Sequence, residues 1–182
     1  DVGTLSSYWE ANMELVDIVP EFNLYEEYWR IFTKSDFIPP QYLGEHAKIE
    51  ASLIGEGCEI YGEVRHSVIG AGVVIEEGAV VRDSIIMRES VIGAGAKVTK
   101  AILAEQVVVG KNSELGVGEY RESCYDRRVY NSDLVTVGEK TVIPSDVKIG
   151  KNTAIWGETV AADYPDGMLE SGGAIIKAGG LK

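Results

Sequence analysis

An aliphatic residue recurs at every sixth position through most of the chain, and a glycine usually follows it. The clearest six-residue units begin at Ile69, Ile92, Val109 and Ile149. A short fixed period indicates a solenoid in which each coil buries its apolar side against its neighbours, and hexapeptide repeats are typical of a parallel β-helix. The sequence therefore predicts a mainly β fold, a left-handed parallel β-helix preceded by a short α-helical segment and a connector.

Successive coils can be aligned on four starting residues, which are Ser52, Ser67, Ser84 and Ala101. Within a coil the aliphatic ladder steps by six, six and five residues, so each turn holds three short strands and the solenoid is a triangular prism. The position four after a ladder residue is usually small or β-branched, and both positions point inward because side chains alternate along a strand. These second positions are Cys58, Val73, Ala79, Ala96, Ser113, Thr141, Val147 and Thr153.

Because side chains fill the interior of such a prism, ligands can bind only at its corners, edges and interfaces. We expect the glycines that follow the ladder residues to supply the positive φ of tight corners. They are Gly55, Gly70, Gly93, Gly110, Gly138 and Gly150.

The chain divides into three predicted regions. Residues 1–20 contain an amphipathic helix over 5–19 with Thr4 or Ser6 as N-cap, and 21–44 form an aromatic and proline-rich connector. Residues 45–182 form the β-helix, whose repeat lapses in an insertion at 117–136. A turn over 163–167 and a short capping strand over 173–177 close the solenoid.

The composition excludes several classes of partner. The chain has 29 acidic and 17 basic residues and a net charge of −12, which disfavours nucleic acid and anionic membranes. Two cysteines without metal-binding spacing suit a reduced, cytoplasmic protein, and Cys58 is expected in the core. The first residue is aspartate rather than methionine, so we expect a piece of a longer protein.

Two histidines limit the possible catalytic chemistry. Hexapeptide carbonic anhydrases hold zinc with three histidines, so His46 and His66 cannot provide such a site. Hexapeptide acyltransferases use one histidine as general base, and His66, at a corner, is the candidate. No residue nearby in sequence supplies an evident partner to orient it, and an ordinary surface histidine is the alternative.

Basic residues near the corners of adjacent coils are candidate anion ligands, and they are Arg82, Arg88, Lys97 and Lys100. Together they can meet a phosphorylated small molecule, or they can be solvated charges that offset the many carboxylates. Arg30 lies among aromatic residues of the connector, where a guanidinium normally has a defined anion or carbonyl partner.

Four stretches resemble the C-terminal part of bacterial glucose-1-phosphate adenylyltransferase, also called ADP-glucose pyrophosphorylase. They are the DVGT at Asp1 with the following Tyr8-Trp9-Glu10-Ala11-Asn12, then Pro39-Pro40-Gln41-Tyr42, the coils, and Asp163-Tyr164-Pro165-Asp166-Gly167 with Ser171-Gly172-Gly173. The likeness covers essentially the whole chain, and the DVGT segment is its most specific part.

The resemblance implies that an upstream domain makes ADP-glucose and pyrophosphate from ATP and glucose 1-phosphate for glycogen synthesis. It implies that the β-helix serves tetramer assembly and allosteric control by phosphorylated metabolites, with Lys100 as the closest match to an effector-binding cation. Asp1 resembles a ligand of the catalytic Mg²⁺ in the intact enzyme. One carboxylate cannot organise that metal, so this chain alone is expected to be inactive.

Two other interpretations remain open at this stage. The chain can be a self-contained, trimeric hexapeptide acyltransferase with His66 as base. It can also be a non-catalytic regulatory subunit of the same pyrophosphorylase. The presence of Asp1 argues mildly against this last interpretation.

Overall fold

Short parallel strands wound into three sheets make up most of the described chain. The structure is a computed structural model that describes residues 3–17, 20, 24, 27–28 and 37–177. Within these residues there is one α-helix, α1 (Leu5–Glu14), and twenty strands that follow one another around the three sheets. Every strand pairing is parallel and joins neighbouring coils, as the hexapeptide period predicts.

The strands fall into sheets A, B and C in the described residues. Sheet A contains β1 (Tyr42–Leu43), β4 (Glu59–Ile60), β7 (Val74–Ile75), β10 (Val91–Ile92), β13 (Val108–Val109) and β16 (Val142–Ile143). Sheet B contains β2 (Lys48–Glu50), β5 (Glu63–Arg65), β8 (Val80–Arg82), β11 (Lys97–Thr99), β14 (Glu114–Val117), β17 (Lys148–Gly150) and β19 (Met168–Leu169). Sheet C contains β3 (Leu53–Ile54), β6 (Val68–Ile69), β9 (Ile85–Ile86), β12 (Ala101–Leu103), β15 (Val135–Val137), β18 (Thr153–Trp156) and β20 (Ala174–Ile176).

The interior of the prism is a continuous apolar core. Ladder residues such as Ile75, Ile92 and Leu103 are fully buried and stack in register on their counterparts in neighbouring coils. All eight of the predicted second inward positions are buried as well, Cys58 among them, and burial raises the pKa of the Cys58 thiol. The filled core confirms the predicted solid interior, which leaves no space for a ligand inside this part of the prism.

The glycines that follow the ladder residues have a different role from the predicted one. Positive φ lies two residues further on, for example at Gly72 and Gly95, and not at Gly70 or Gly110. A Cβ on Gly110 would lie 2.4 Å from the Ser145 amide nitrogen of the next coil. These glycines are required because adjacent corners approach closely, so the expected positive φ was wrong.

Sheet C is the face that helix α1 covers. Met13 packs with the outward side chains Ile85 and Ile102 and with Leu134, and all four are buried. Thr4 is the N-cap and forms a capping box with Ser7. The helix ends at Glu14, earlier than the predicted residue 19, and turns continue it to residue 17.

The repeat is interrupted and closed as the sequence indicates. The insertion, which we call the arm (residues 118–134), leaves sheet B after Val117 and returns to sheet C at Val135.

Two 3-10 turns, Ala161–Asp163 and Pro165–Gly167, flank Tyr164, which is buried against the end of the core. Its hydroxyl lies 2.8 Å from Thr159 Oγ1. Strand β20 then completes sheet C at the predicted capping position.

Candidate functional site at the corner between sheets B and C

The corner between sheets B and C collects the polar side chains of successive coils in one column. His66, Asp83 and Lys100 occupy equivalent corner positions, and each has a positive φ between 44° and 50°. Below them the hydroxyls of Ser52, Ser67 and Ser84 accept the backbone N–H of the following coil at 3.1–3.2 Å. This serine ladder, buried at Ser67 and Ser84, holds the corners in register, so the side chains above it are fixed in a row.

His66 has a partner that the sequence did not reveal. Its Nδ1 lies 2.7 Å from Asp83 Oδ1, and both side chains are partly exposed. Asp83 lies one coil after His66. Counting one repeat along the sequence from His66 would therefore have identified the pair. Because Asp83 is not a sequence neighbour of His66, it was not identified as the orienting partner.

Lys100 joins the corner to both neighbouring elements. Its Nζ lies 3.1 Å from Asp133 Oδ2 of the arm and 5.0 Å from the ring centroid of Trp9 in helix α1. The Trp9 indole N–H donates to the Asp83 carbonyl at 2.8 Å. Helix, arm and prism therefore meet at one ammonium group that is about one-third exposed.

Two of the other predicted cations lie on sheet B, close to Lys100. Arg82 pairs in register with Thr99, the residue before Lys100, and Lys97 lies on that same strand. Arg82 Nη2 contacts Glu63 Oε1 at 2.8 Å, and this hydrogen bond lowers the pKa of the Glu63 carboxyl. Lys97 Nζ lies 3.6 Å from Glu114 Oε2.

The remaining predicted cations are not part of this group. Arg88 lies at the corner between sheets C and A, where it contacts Glu89 at 3.3 Å. Arg30 lies outside the described residues, and so does Asp1, the predicted metal ligand.

A second concave feature lies at the corner between sheets A and B. Only Tyr61 and Gly62 connect β4 to β5, whereas four residues connect β7 to β8. The short corner leaves a notch of about 600 Å³ between its neighbours. Its lining includes His46, Lys48 and Glu77. A Cβ on Gly62 would lie 2.3 Å from the Ala79 carbonyl oxygen, so the notch requires glycine there.

Two kinds of feature are absent from the described residues. No group of three or more His, Cys, Asp or Glu side chains is arranged to hold a metal ion in that part of the chain. Nor does any helix there combine the length and the apolar character needed to cross a membrane.

Comparisons with known proteins show which family the chain belongs to. The family described as GlmU-like, C-terminal hexapeptide matches residues 37–137. The glucose-1-phosphate adenylyltransferase of Lachnospira eligens is 65% identical over 179 residues, which cover 98% of this chain and 42% of that protein. The enzymes of the same name from Thermotoga maritima and Acetivibrio thermocellus are 51% and 42% identical, and each match covers at least 97% of this chain and 42% of the relative.

A likeness among solved structures is more distant. The acetyltransferase domain of PglB from Neisseria gonorrhoeae aligns with a TM-score of 0.46 and 20% identity, covering 74% of this chain and 56% of that one.

The chain spans about two-fifths of the length of the curated relatives that it matches.

Proposed function

Since the chain belongs to the GlmU-like C-terminal hexapeptide family and is homologous along 98% of its length to glucose-1-phosphate adenylyltransferases, we propose that it is the C-terminal regulatory and assembly domain of such an enzyme. The longer polypeptide makes ADP-glucose and pyrophosphate from ATP and glucose 1-phosphate, for glycogen biosynthesis in the cytoplasm. The single observation that carries this proposal is the homology over nearly the whole chain.

The catalytic groups of this proposed reaction belong to the longer polypeptide. ATP and glucose 1-phosphate bind in the upstream part, and Mg²⁺ there would neutralise charge on the nucleotide phosphates. Asp1 is the residue of this chain that would contribute a ligand to the metal. The proposed role of residues 3–177 is therefore to hold subunits together, as a tetramer in the intact enzyme, and to respond to effectors.

We assign effector binding to the corner around Lys100. An anionic metabolite would replace the Asp133 carboxylate on the Lys100 ammonium, because a phosphate offers more charge and more acceptor oxygens than a carboxylate does. Arg82 and Lys97, on the adjoining face, would add positive potential. Arg30 and Arg88 remain candidate contributors from other parts of the chain.

In this assignment, effector binding at Lys100 changes the contacts that the arm and helix α1 make with the prism. Release of Asp133 would free the end of the arm, and movement of the Lys100 ammonium would weaken its contact with the Trp9 ring. Helix α1 lies on the chain between the prism and the upstream residues of the longer polypeptide. A change at Lys100 is thereby passed to the element that leads toward the catalytic part.

Removing the Lys100 ammonium is expected to weaken the effector response. In the longer polypeptide, Lys100→Ala should raise the concentration of sugar phosphate needed for half-maximal response by about tenfold, the equivalent of one charge-assisted hydrogen bond. The measurement is ADP-glucose formation against a titration with sugar phosphates and inorganic phosphate.

Lys148→Ala is the control, because Lys148 is a surface lysine of sheet B that pairs with the Glu114 carboxylate at 3.9 Å and lies outside the assigned site. Equal responses of Lys100→Ala and the unsubstituted enzyme would contradict the assignment of Lys100. Enzyme without any ADP-glucose activity, but with acyl transfer that requires His66, would contradict the proposed function itself.

A further inference from the structure

Two turns of different type face each other across the notch at the corner between sheets A and B. Residues 44–47 and residues 76–79 each close a turn with a hydrogen bond from the fourth residue to the carbonyl of the first. Gly78, the third residue of its turn, has a φ of 71°, whereas His46, the third residue of the other turn, does not have a positive φ. The turn over 76–79 is therefore type II, and the turn over 44–47 is type I.

The central peptide groups of type I and type II turns point in opposite directions. In the type II turn the Glu77 carbonyl accepts the Gly95 N–H of the next coil at 3.0 Å, so the Gly78 N–H of the same peptide group points back toward the notch. In the type I turn the peptide group is reversed, and the His46 N–H points forward toward the notch. Neither N–H has an acceptor among the described residues. Two backbone donors therefore converge on the space that a corner of full length would fill.

The spacing between the two donors suits a group with two oxygens on one atom. Coils follow one another at about 4.8 Å, and the two turns are two such spacings apart. Two N–H···O hydrogen bonds of about 2.9 Å take up most of that distance. A carboxylate between the donors can accept one hydrogen bond from each, and its other lone pairs can accept from Lys48, which also lines the notch.

The charged side chains around the notch select the rest of the ligand. Glu45, Glu77 and Lys48 line it, and none of the three forms an ion pair with another described residue. Glu63 also lines the notch, but two arginines neutralise its carboxylate at 2.8–2.9 Å. Two free carboxylates and one ammonium disfavour a phosphate dianion and favour a ligand with one positive and one negative charge.

We propose that the notch binds a free α-amino acid. The carboxylate of the ligand accepts the N–H groups of His46 and Gly78 and contacts the Lys48 ammonium. The ammonium group of the ligand contacts the carboxylates of Glu45 and Glu77. A volume of about 600 Å³ is within the range of small-molecule sites. The notch is separate from the assigned effector corner, so its failure would leave that assignment unaffected.

The test is a titration of the 182-residue chain with four probes, followed by the NMR resonances of the backbone amides. Glycine carries both charges, acetate and methylamine carry one each, and inorganic phosphate is the competing anion. Glycine should shift the amide resonances of His46 and Gly78 in a saturable way, and the other probes should bind at least tenfold more weakly. Binding of acetate or phosphate as tight as that of glycine would overturn the assignment of an amino acid. The absence of a saturable shift at these two amides would overturn the site.

A completed corner tests where glycine binds. Insertion of Glu-Gly between Tyr61 and Gly62 copies the turn of the next coil and fills the notch, so glycine binding should be lost while circular dichroism shows a folded prism. Lys48→Ala should weaken glycine binding about tenfold, because it removes one charge-assisted contact. Lys148→Ala is the control, since Lys148 occupies the equivalent position on sheet B beside a corner of full length. Glycine binding that survives completion of the corner, or equal effects of the two lysine substitutions, would contradict the proposal.

Discussion

Replacing Ile92 with aspartate is expected to lower the free energy of unfolding by at least about 5 kcal/mol, enough to abolish the cooperative transition of a typical domain. Ile92 is fully buried in the ladder between Ile75 and Val109, where a carboxylate would have no polar partner. The measurement is urea unfolding followed by circular dichroism.

The adjacent residue provides the control. Val91 points outward from the same two-residue strand, so Val91→Asp should cost no more than about 1 kcal/mol. Because side chains alternate along a strand, a shift of one residue would exchange the two results. Similar losses for both variants, or a larger loss for Val91→Asp, would contradict the inward ladder.

The second large effect is expected at Trp9. Trp9→Ala removes the indole N–H that donates to the Asp83 carbonyl, the ring beneath Lys100 and apolar contact with sheet C. Truncation of a packed tryptophan costs about 3 kcal/mol or more, and a ten-residue helix is not stable in water by itself. Helix α1 should therefore detach and unfold while the prism remains folded.

Hydrogen exchange gives the clearest measurement of this detachment. Amides of α1 should lose about 100-fold in protection, whereas those of β7 to β12 should keep theirs. Glu10→Ala is the control, since Glu10 is the neighbouring residue and is exposed. Trp9→Phe should give an intermediate loss, because it keeps a ring but not the hydrogen-bond donor. Full protection of α1 in Trp9→Ala would contradict the role given to Trp9.

Periodicity explains why the core was predictable. A repeat of six residues determines which side chains point inward, and the buried Cys58, Ala96 and Val147 follow from counting alone. The glycine roles were not predictable in the same way. Gly70 and Gly72 both lie at one corner, and only the structure distinguishes the close approach of Gly70 from the positive φ of Gly72.

The candidate site was predictable only where it follows the repeat. Asp83 could have been assigned to His66, because the two residues are one coil apart. Asp133 could not have been assigned to Lys100, because the arm has no period that relates it to a coil. The end of helix α1 was also missed, since apolar spacing continues past Glu14 while the helix does not.

The central claim is that this chain regulates and assembles an enzyme whose chemistry lies elsewhere. Its most direct test is ADP-glucose formation from ATP, glucose 1-phosphate and Mg²⁺, measured at equal molar concentrations of the 182-residue chain and of the longer polypeptide. We predict product from the longer polypeptide and none above the buffer control from the chain alone. Sustained product formation by the chain alone would contradict the account.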